Sequence, residues 1–298
     1  MKLAMIGLGK MGLNLSLNLK DHEVDVVGFD VSEEARMNAN RKGMQTEDSL
    51  EKLLRVFDKQ KVVMLSTPAG EITNTLVKEL CEKLNPGDIL IDSGNSYFKD
   101  SLENYERAKK KEIGFLDCGT SGGMDGARNG ACLMIGGDKE IFQQVEGVFE
   151  KLGCEKGYLY TGRAGSGHYL KMVHNGIEYG MMQAIGEGFD ILQASDFEFD
   201  FEEVASIWNH GSVIRSWLME LAEESFVKDP KLDNIKGVVD ASGEGKWTIE
   251  EALRLNIPVP AIASALFARN TTKIDDSFSA KVVATMRHGF GGHDVSEK

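Results

Sequence analysis

The chain has 298 residues, which is long enough for two domains and a substantial hydrophobic core. Its composition, 42% hydrophobic and 27% charged, is that of an ordinary globular protein and argues against disorder. The formal net charge of −13 disfavours nucleic acid and anionic membrane surfaces as partners, so an anionic ligand would need a local basic pocket.

The first predicted element is a short apolar strand from Leu3, followed by three glycines and a helical pattern. Strand, glycines and helix together match the fingerprint of a dinucleotide-binding fold. Gly7 would permit the tight turn, Gly9 the close approach of a pyrophosphate, and Gly12 the packing of the helix. A purely structural glycine turn is the alternative. The predicted cofactor contacts in this segment are Gly7, Leu8, Gly9, Lys10, Met11 and Gly12.

The second predicted strand, VDVVGFD, ends in Asp30, which follows Gly12 by 18 residues. A carboxylate at this position can accept hydrogen bonds from an adenosine ribose and would repel a 2′-phosphate. The residues directly after it supply no arginine, and Arg36 is predicted to lie in the next helix. The sequence therefore predicts NAD in preference to NADP.

Strands and helices continue to alternate through the first half of the chain. The predicted strands are KVVMLSTP, GDILIDSGN, GFLDCGTSGG and CLMIGGD, before the helical segment IFQQVEGVFEKLG. This alternation predicts a Rossmann-like, doubly wound and mostly parallel α/β sheet. Ligands bind beyond the carboxyl ends of such strands, where Asn95 and the stretch from Ser121 to Gly123 fall. Further predicted cofactor contacts are Thr67, Pro68, Ala69 and Asn95.

The segment TGRAGSGHY, from Thr161, is the predicted hinge at the end of this sheet domain. Beyond it the pattern is helical, and no alternating strand is evident. We predict a dinucleotide-binding domain over residues 1–163 and an all-α domain, for substrate binding and dimerisation, over residues 164–298.

The cysteines are too widely spaced to form a metal-ligand motif. They are Cys81, Cys118, Cys132 and Cys154. Reduced thiols, and therefore a cytoplasmic protein without a bound metal, are the simplest interpretation.

The helical segment KMVHNGIEYG, from Lys171, carries a polar stripe at helical spacing. The stripe consists of Lys171, His174, Asn175, Glu178 and Tyr179. The other face, predicted to pack in the core, holds Met172, Val173, Ile177, Met181 and Ala184. The stripe faces either a ligand cleft or water, and spacing alone leaves both readings open.

These residues and several other segments resemble the 6-phosphogluconate dehydrogenases in their short, NAD-linked form, within the β-hydroxyacid dehydrogenase superfamily. The resemblance covers nearly the whole chain. Its segments are GLGKMG at 7–12, DSGN at 92–95, TSGGMDGARNG at 120–130, KMVHNGIEYGMMQ at 171–183, GEGKWT at 243–248, FARN at 267–270 and RHGFGGH at 287–293.

The resemblance implies a cytoplasmic oxidoreductase of the pentose phosphate pathway that converts 6-phosphogluconate to ribulose 5-phosphate and CO2. It implies that Lys171 removes the C3 hydroxyl proton and later stabilises the enolate oxygen. It implies that Glu178 then protonates C1 of the enediol to give ribulose 5-phosphate. No metal is needed for the loss of CO2, because the new ketone accepts the electrons.

The resemblance also implies a set of substrate contacts. The segment Ser121, Gly122 and Gly123 would receive the carboxylate end, and His174 with Asn175 would hold hydroxyl groups. Tyr179 and Arg269 would bind the phosphate, and Asn95 would touch both substrate and nicotinamide. For the glycines a simple turn is the alternative reading, and for Arg269 an exposed helical arginine.

The C-terminal segment resembles a tail that, in the family, enters the active site of a neighbouring subunit. Arg287 and His293 keep the family's spacing of six residues. The resemblance therefore implies a homodimer or a higher homo-oligomer with tail exchange, the tail covering about residues 284–298.

The sequence departs from the pattern of longer family members in the predicted phosphate loop. Ser242 and Glu244 stand where many of those members have Lys and Thr. This leaves a second reading, an NAD-dependent β-hydroxyacid dehydrogenase acting on a different 3-hydroxy acid, with or without a phosphate. A catalytically silent dinucleotide sensor is a third reading, against which the intact Lys171 and Glu178 count.

Overall fold

A computed structural model describes residues 2–296 of the chain, which divides into two compact units. Unit 1 extends to Asn175 and unit 2 starts at Gly176. Residue 1 and residues 297–298, at the outer ends of the two predicted domains and of the predicted tail, lie outside the described residues. The domain boundary expected between residues 163 and 164 stays a prediction.

Within the described residues, unit 1 contains one eight-stranded sheet in the order β3-β2-β1-β4-β5-β6-β7-β8. All neighbouring strands are parallel except β6 and β7, which are antiparallel. The predicted doubly wound, mostly parallel α/β fold is thus confirmed. The strands are β1 (Lys2–Ile6), β2 (Asp25–Phe29), β3 (Gln45–Thr46), β4 (Val62–Leu65), β5 (Ile89–Asp92), β6 (Gly114–Ser121), β7 (Ala131–Gly137) and β8 (Gly153–Gly162).

Helices connect most of the consecutive strands and supply the apolar faces that cover the sheet. They are α1 (Lys10–Asp21), α2 (Glu33–Arg41), α3 (Leu50–Arg55), α4 (Glu71–Lys83), α5 (Phe98–Lys109), α6 (Gly123–Asn129) and α7 (Lys139–Leu152). A long helix, α8 (Ser166–Gln193), begins in unit 1 and continues into unit 2.

The sheet is buried on both faces, as a parallel sheet between helical layers must be. Along β1, Leu3 and Met5 belong to one apolar cluster. The alternate residues Ala4 and Ile6 belong to a second cluster on the other face. This two-sided burial explains why the strands read in the sequence as unbroken apolar runs.

The strand order shows at which end of the strands a ligand would be expected to bind. The chain passes from β1 outward to β3 and then returns to β4 on the other side of β1. The connections that follow β1 and β4 therefore leave in opposite directions and open a crevice at the carboxyl ends of these strands.

Unit 2 is helical in its described part, as predicted. Besides the second part of α8 it contains α9 (Phe201–Asn209), α10 (Trp217–Lys228), α11 (Gly243–Leu255), α12 (Pro260–Thr271) and α13 (Phe278–Gly291). A cluster of Phe189, Ala205, Met219 and Phe226 packs α8 with α9 and α10. Side chains of Asp200, Ser216 and Ser277 accept hydrogen bonds from the first turns of α9, α10 and α13 and so fix where these helices begin.

The last helix differs from the others of unit 2 because none of its residues is buried. Phe278, Val283, Met286 and Phe290 are apolar and more than half exposed, at 78%, 51%, 55% and 79%. Between residues 2 and 296, no helix combines the length and the apolarity that a membrane span requires.

Candidate active site

The glycine-rich turn after β1 has the shape of a pyrophosphate cradle. Gly7 has a φ of +94°, and a Cβ there would lie 2.3 Å from the Ser66 carbonyl oxygen. A Cβ on Gly12 would lie 1.9 Å from the Gly7 oxygen, whereas one on Gly9 would meet nothing within 4 Å. Gly9 provides no side-chain cap for α1, which begins at Lys10. Open space therefore lies beside Gly9, next to the main-chain N–H groups at the start of α1, and this arrangement fits a bound pyrophosphate.

Asp30 is half-buried directly after β2 and is tied to this turn. Its carboxylate accepts hydrogen bonds from the N–H groups of Leu8, at 2.7 Å, and Ser32, at 2.8 Å. Arg36 lies in α2, as predicted, and donates to the carbonyl oxygens of Asp30 and Val31 at 2.6 and 3.3 Å. The guanidinium is therefore engaged by the main chain of the β2–α2 turn.

The turns after β4 and β5 lie next to each other, since a Cβ on Gly94 would lie 2.9 Å from the Thr67 oxygen. Thr67 is half-buried, while Pro68, Ala69 and Asn95 are exposed at this edge. The remaining predicted cofactor contacts are Leu8, which is buried, Met11, which is half-buried, and Lys10, which is exposed.

The loop expected to receive the substrate's carboxylate follows β6. Gly122 and Gly123 have φ values of +111° and +59°, a region that L side chains rarely adopt. Gly122 caps α6, a helix in a stretch that the sequence presented only as glycine-rich. Ser121, the last residue of β6, places its Oγ 3.3 Å from Nε2 of His174.

A chain of hydrogen bonds connects Ser121 to Lys171 inside unit 1. Nζ of Lys171 donates to Oδ1 of Asn175 at 2.8 Å, and Nδ1 of His174 lies 2.9 Å from the same oxygen. An amide oxygen only accepts, so Nδ1 of His174 carries the hydrogen and Nε2 is the acceptor. The Ser121 hydroxyl can then donate to Nε2, and the lysine, the amide, the imidazole and the hydroxyl orient one another.

The predicted core face of α8 is wrong for several of its residues. Met172 is buried, at 2% exposure, but Ile177 and Met181 are 53% and 43% exposed, and Ala184 is exposed as well. The polar stripe is the better-packed face, because Lys171, Asn175 and Tyr179 are only 6%, 8% and 4% exposed. Polar side chains buried in this way need specific partners, which a solvated stripe does not.

Tyr179 is at the centre of a second group, inside unit 2. Its hydroxyl lies 3.1 Å from Oγ of Ser242 and accepts a hydrogen bond from the Ser242 N–H at 3.2 Å. The Arg269 guanidinium stacks on the tyrosine ring, 3.5 Å from its centroid, and donates to the Asp240 carbonyl oxygen. A Cβ on Gly245 would lie 2.6 Å from the ring, so glycine permits this packing. Ser242, a departure from the family pattern, is thus part of the group.

The remaining predicted site residues lie on α8, α11 and α13 and directly after α13. Glu178 is half-buried on α8, and Glu244, at 4% exposure, is in the first turn of α11. Arg287 on α13 and His293 after it are exposed.

The four cysteines are free, and two of them are buried. Burial raises the pKa of both Cys81 and Cys118 above the usual thiol range, so these two stay protonated at neutral pH. Within residues 2–296, no three His, Cys, Asp or Glu side chains are grouped in a way that could hold a metal ion.

Two sequence families match this chain in succession. Residues 2–162 match the NAD binding domain of 6-phosphogluconate dehydrogenase, and residues 167–287 match the C-terminal domain of the same enzyme. The chain belongs to the 6-phosphogluconate dehydrogenase family.

Individual members of the family resemble the chain over its whole length. Bacillus subtilis YqeC is 49% identical over 298 residues, covering 100% of both chains. The NAD(+)-dependent, decarboxylating 6-phosphogluconate dehydrogenase of Haloferax volcanii is 40% identical over 300 residues, covering 100% of this chain and 99% of its own. The Plasmodium falciparum 6-phosphogluconate dehydrogenase structure superposes with a TM-score of 0.85 at 30% identity, covering 100% of this chain and 66% of that one.

Proposed function

We propose that this protein oxidises and decarboxylates 6-phosphogluconate to ribulose 5-phosphate and CO2, with NAD as the hydride acceptor. The observation that carries the proposal is the buried Lys171, hydrogen-bonded to Asn175 on the helix that also bears Glu178. A base and an acid on one helix are what an oxidation followed by a decarboxylation requires. The full-length similarity to a relative of that name supports the same conclusion.

In the proposed mechanism, Lys171 acts first as the base. NAD, when bound at the glycine-rich turn, would supply the acceptor for the hydride that leaves C3. The neutral amine of Lys171 removes the C3 hydroxyl proton, so that a ketone forms next to the carbon that bears the carboxylate. Asn175 orients the amine through the hydrogen bond at 2.8 Å.

The second half of the reaction uses the new ketone as the electron acceptor. When CO2 leaves, the electrons of the broken C–C bond move onto the former C3 oxygen, and the Lys171 ammonium stabilises it. Glu178 then delivers a proton to the carbon that has lost CO2, which becomes C1 of ribulose 5-phosphate. The proton that Lys171 removed balances the one that Glu178 delivers, so the overall reaction releases no proton into solution.

The substrate contacts follow from the two groups of side chains. The main-chain N–H groups of Gly122 and Gly123, together with Ser121, suit a carboxylate. His174 and Asn175 suit hydroxyl groups. The phenol of Tyr179 and the guanidinium of Arg269 suit a phosphate. Asn95, exposed after β5, would contact both the substrate and the nicotinamide.

We propose NAD rather than NADP as the physiological cofactor. The half-buried Asp30 carboxylate is held by two main-chain N–H groups directly after β2. Arg36, the nearest arginine, donates to carbonyl oxygens of the same turn and so is already engaged. Both features oppose a 2′-phosphate.

We further propose a cytoplasmic homodimer or higher homo-oligomer with exchanged tails. The exposed apolar side chains of α13 support an interface on that helix, because monomers rarely leave such surfaces uncovered. Arg287 and His293 would then add a guanidinium and an imidazole as hydrogen-bond donors to a neighbouring subunit's phosphate site. Free thiols support a reducing compartment.

The test is turnover of 6-phosphogluconate with NAD and with NADP, following both NADH or NADPH formation and CO2 release. The proposal predicts both products in equal amounts, with NAD the better cofactor. Absence of turnover with either cofactor would contradict it.

A different 3-hydroxy acid is the second candidate, favoured by the buried Glu244 near Ser242 in the predicted phosphate loop. A carboxylate disfavours a phosphate at close range unless a cation lies between them. Faster turnover of non-phosphorylated 3-hydroxy acids than of 6-phosphogluconate would favour this candidate.

A further inference from the structure

Asp117 on β6 is a fully buried carboxylate that the proposed mechanism does not use, at 0% exposure. Its Oδ1 accepts a hydrogen bond from the Gly165 N–H at 2.6 Å, and its Oδ2 accepts one from the His168 N–H at 2.8 Å. Both N–H groups lie at the start of α8, where the helix itself offers no acceptor. A carboxylate from a strand of the sheet therefore caps the N-terminus of α8, as an N-cap side chain would.

The same turn of α8 lies directly on the sheet. A Cβ on Gly167 would lie 2.3 Å from the Met134 carbonyl oxygen, and a Cβ on Gly119 would lie 2.4 Å from Cβ of Lys171. These distances show that this turn of α8 lies against the sheet without an intervening side chain at either glycine. The position of Lys171 is thus coupled to strand β6 within one helical turn of the carboxylate cap.

Two side-chain contacts hold this turn from other directions. Ser101 of α5 places its Oγ 2.6 Å from Nδ1 of His168, which is 1% exposed. Thr161 of β8 places its Oγ1 2.6 Å from Oγ of Ser166. Neither contact involves the main-chain N–H groups of Gly165 and His168, which donate to Asp117.

We propose that Asp117 is a positioning residue for the reaction, which caps α8 and thereby fixes the height and rotation of the helix turn that carries Lys171. This inference rests on the proposed function, because Lys171 must be the base for its position to affect the rate. Displacements of about 1 Å at a catalytic group can cost on the order of a hundredfold in rate.

The variant Asp117→Asn tests the proposal, because an amide keeps the shape but can accept only one of the two hydrogen bonds. Asp88→Asn is the matched control. Asp88, just before β5, is 3% exposed and accepts main-chain hydrogen bonds from Lys61 and Asn85, both at 2.8 Å; it also pairs with the Lys61 side chain at 3.2 Å. Both variants should lose thermal stability. Only Asp117→Asn should lower kcat, by about 10- to 100-fold, with KM for 6-phosphogluconate and Kd for NAD changed less than about threefold.

The pH dependence of kcat separates positioning from a direct effect of the buried charge. Positioning predicts a lower curve with the same midpoints. A curve of unchanged height with a displaced midpoint would overturn the proposal in favour of electrostatic tuning of Lys171. Equal loss of kcat in both variants, or unchanged kcat in Asp117→Asn, would also overturn it.

Amide hydrogen exchange on the unmutated protein gives a second measurement, independent of folding of the variants and of turnover. The amides of Gly165 and His168 should exchange as slowly as those of the sheet core, and rapid exchange would overturn the cap. If Asp117→Asn and Asp117→Ser both fail to fold, the residue determines the fold and the positioning role is rejected. Slow exchange in a protein that does not turn over 6-phosphogluconate would instead retain the cap and reject the proposed function.

Discussion

Lys171 is unusual among lysines because its side chain is buried and its amine donates a hydrogen bond to the amide oxygen of Asn175 at 2.8 Å. Most lysines keep this group in water, because removing a charge from water is costly without compensating partners. The fold buries the Lys171 amine despite this desolvation cost and provides a hydrogen-bond acceptor for it. The proposed role of Lys171 as the base accounts for this arrangement.

Replacing Lys171 by Ala should abolish cofactor reduction while leaving NAD binding nearly unchanged. A general base contributes about 10²- to 10⁴-fold to the rate, and the glycine-rich turn that fits NAD is a separate part of unit 1. Steady-state turnover and fluorescence titration with NAD would measure the two effects. Lys139→Ala, which removes an exposed lysine of α7, is the control. Turnover retained in Lys171→Ala would remove this residue from its role.

Replacing Asp30 by Asn should weaken the preference for NAD over NADP. The substitution removes the negative charge that would face a 2′-phosphate but keeps an oxygen that can accept one of the two main-chain hydrogen bonds. We expect the ratio of kcat/KM for NAD to that for NADP to fall about tenfold, which corresponds to roughly 1.4 kcal/mol. Asp25→Asn, at the exposed start of β2, should leave the ratio unchanged. An unaltered ratio in Asp30→Asn would refute the assignment of Asp30.

The elements of unit 1 were predictable where apolar strands alternate with amphipathic helices, because both patterns arise from burial against one sheet. Three elements were not apparent. β3 is only two residues long, and β8 is an edge strand interrupted by Lys156 at a φ of +59°. α6 contains glycine, a poor helix former, and its start is set by the unusual conformation of Gly122.

The packing of α8 could not be read from its own residues. Hydrophobicity assigned Ile177 and Met181 to the core, yet both are exposed, whereas Lys171 and Tyr179 are buried. The reason lies in distant glycines. Gly119 makes room for the Lys171 side chain, and Gly245 makes room for the Tyr179 ring. Both glycines lie outside α8, so the periodicity of the helix sequence contains no information about them.

Two substitutions in the glycine-rich turn after β1 should differ in their effects on stability and on NAD binding. Gly9→Ala should leave stability nearly unchanged, because its Cβ would meet nothing within 4 Å, but should weaken NAD binding by occupying the space for the pyrophosphate. Gly12→Ala should instead destabilise the protein by about 1–3 kcal/mol, because its Cβ would overlap the Gly7 oxygen. Thermal unfolding and NAD titration of both variants would measure this contrast. Equal loss of stability in the two variants would contradict it.

At the level of the whole molecule, the composition indicated a globular protein with a net negative charge. It did not indicate how such a protein could bind an anionic substrate. The contacts that answer this question are long-range. Tyr179 meets Ser242 and Arg269 only after the chain has folded through several helices of unit 2. Such a group was predictable from the resemblance, which identified Tyr179 and Arg269, but not from local spacing. Ser242 was noted in the sequence only as a mismatch.

Tail exchange between subunits predicts that two inactive variants can restore each other. In a mixed dimer of Lys171→Ala and Arg287→Ala chains, one site would combine an intact Lys171 with an intact Arg287 from the other chain. Random dimers in an equal mixture are half mixed, and each mixed dimer has one restored site of two, so activity should recover to about a quarter of the wild-type value. The measurement is turnover after the two chains are unfolded and refolded together, with each variant refolded alone as the control. If the tail served its own subunit, each site would carry one of the two substitutions and the mixture would stay as inactive as its components.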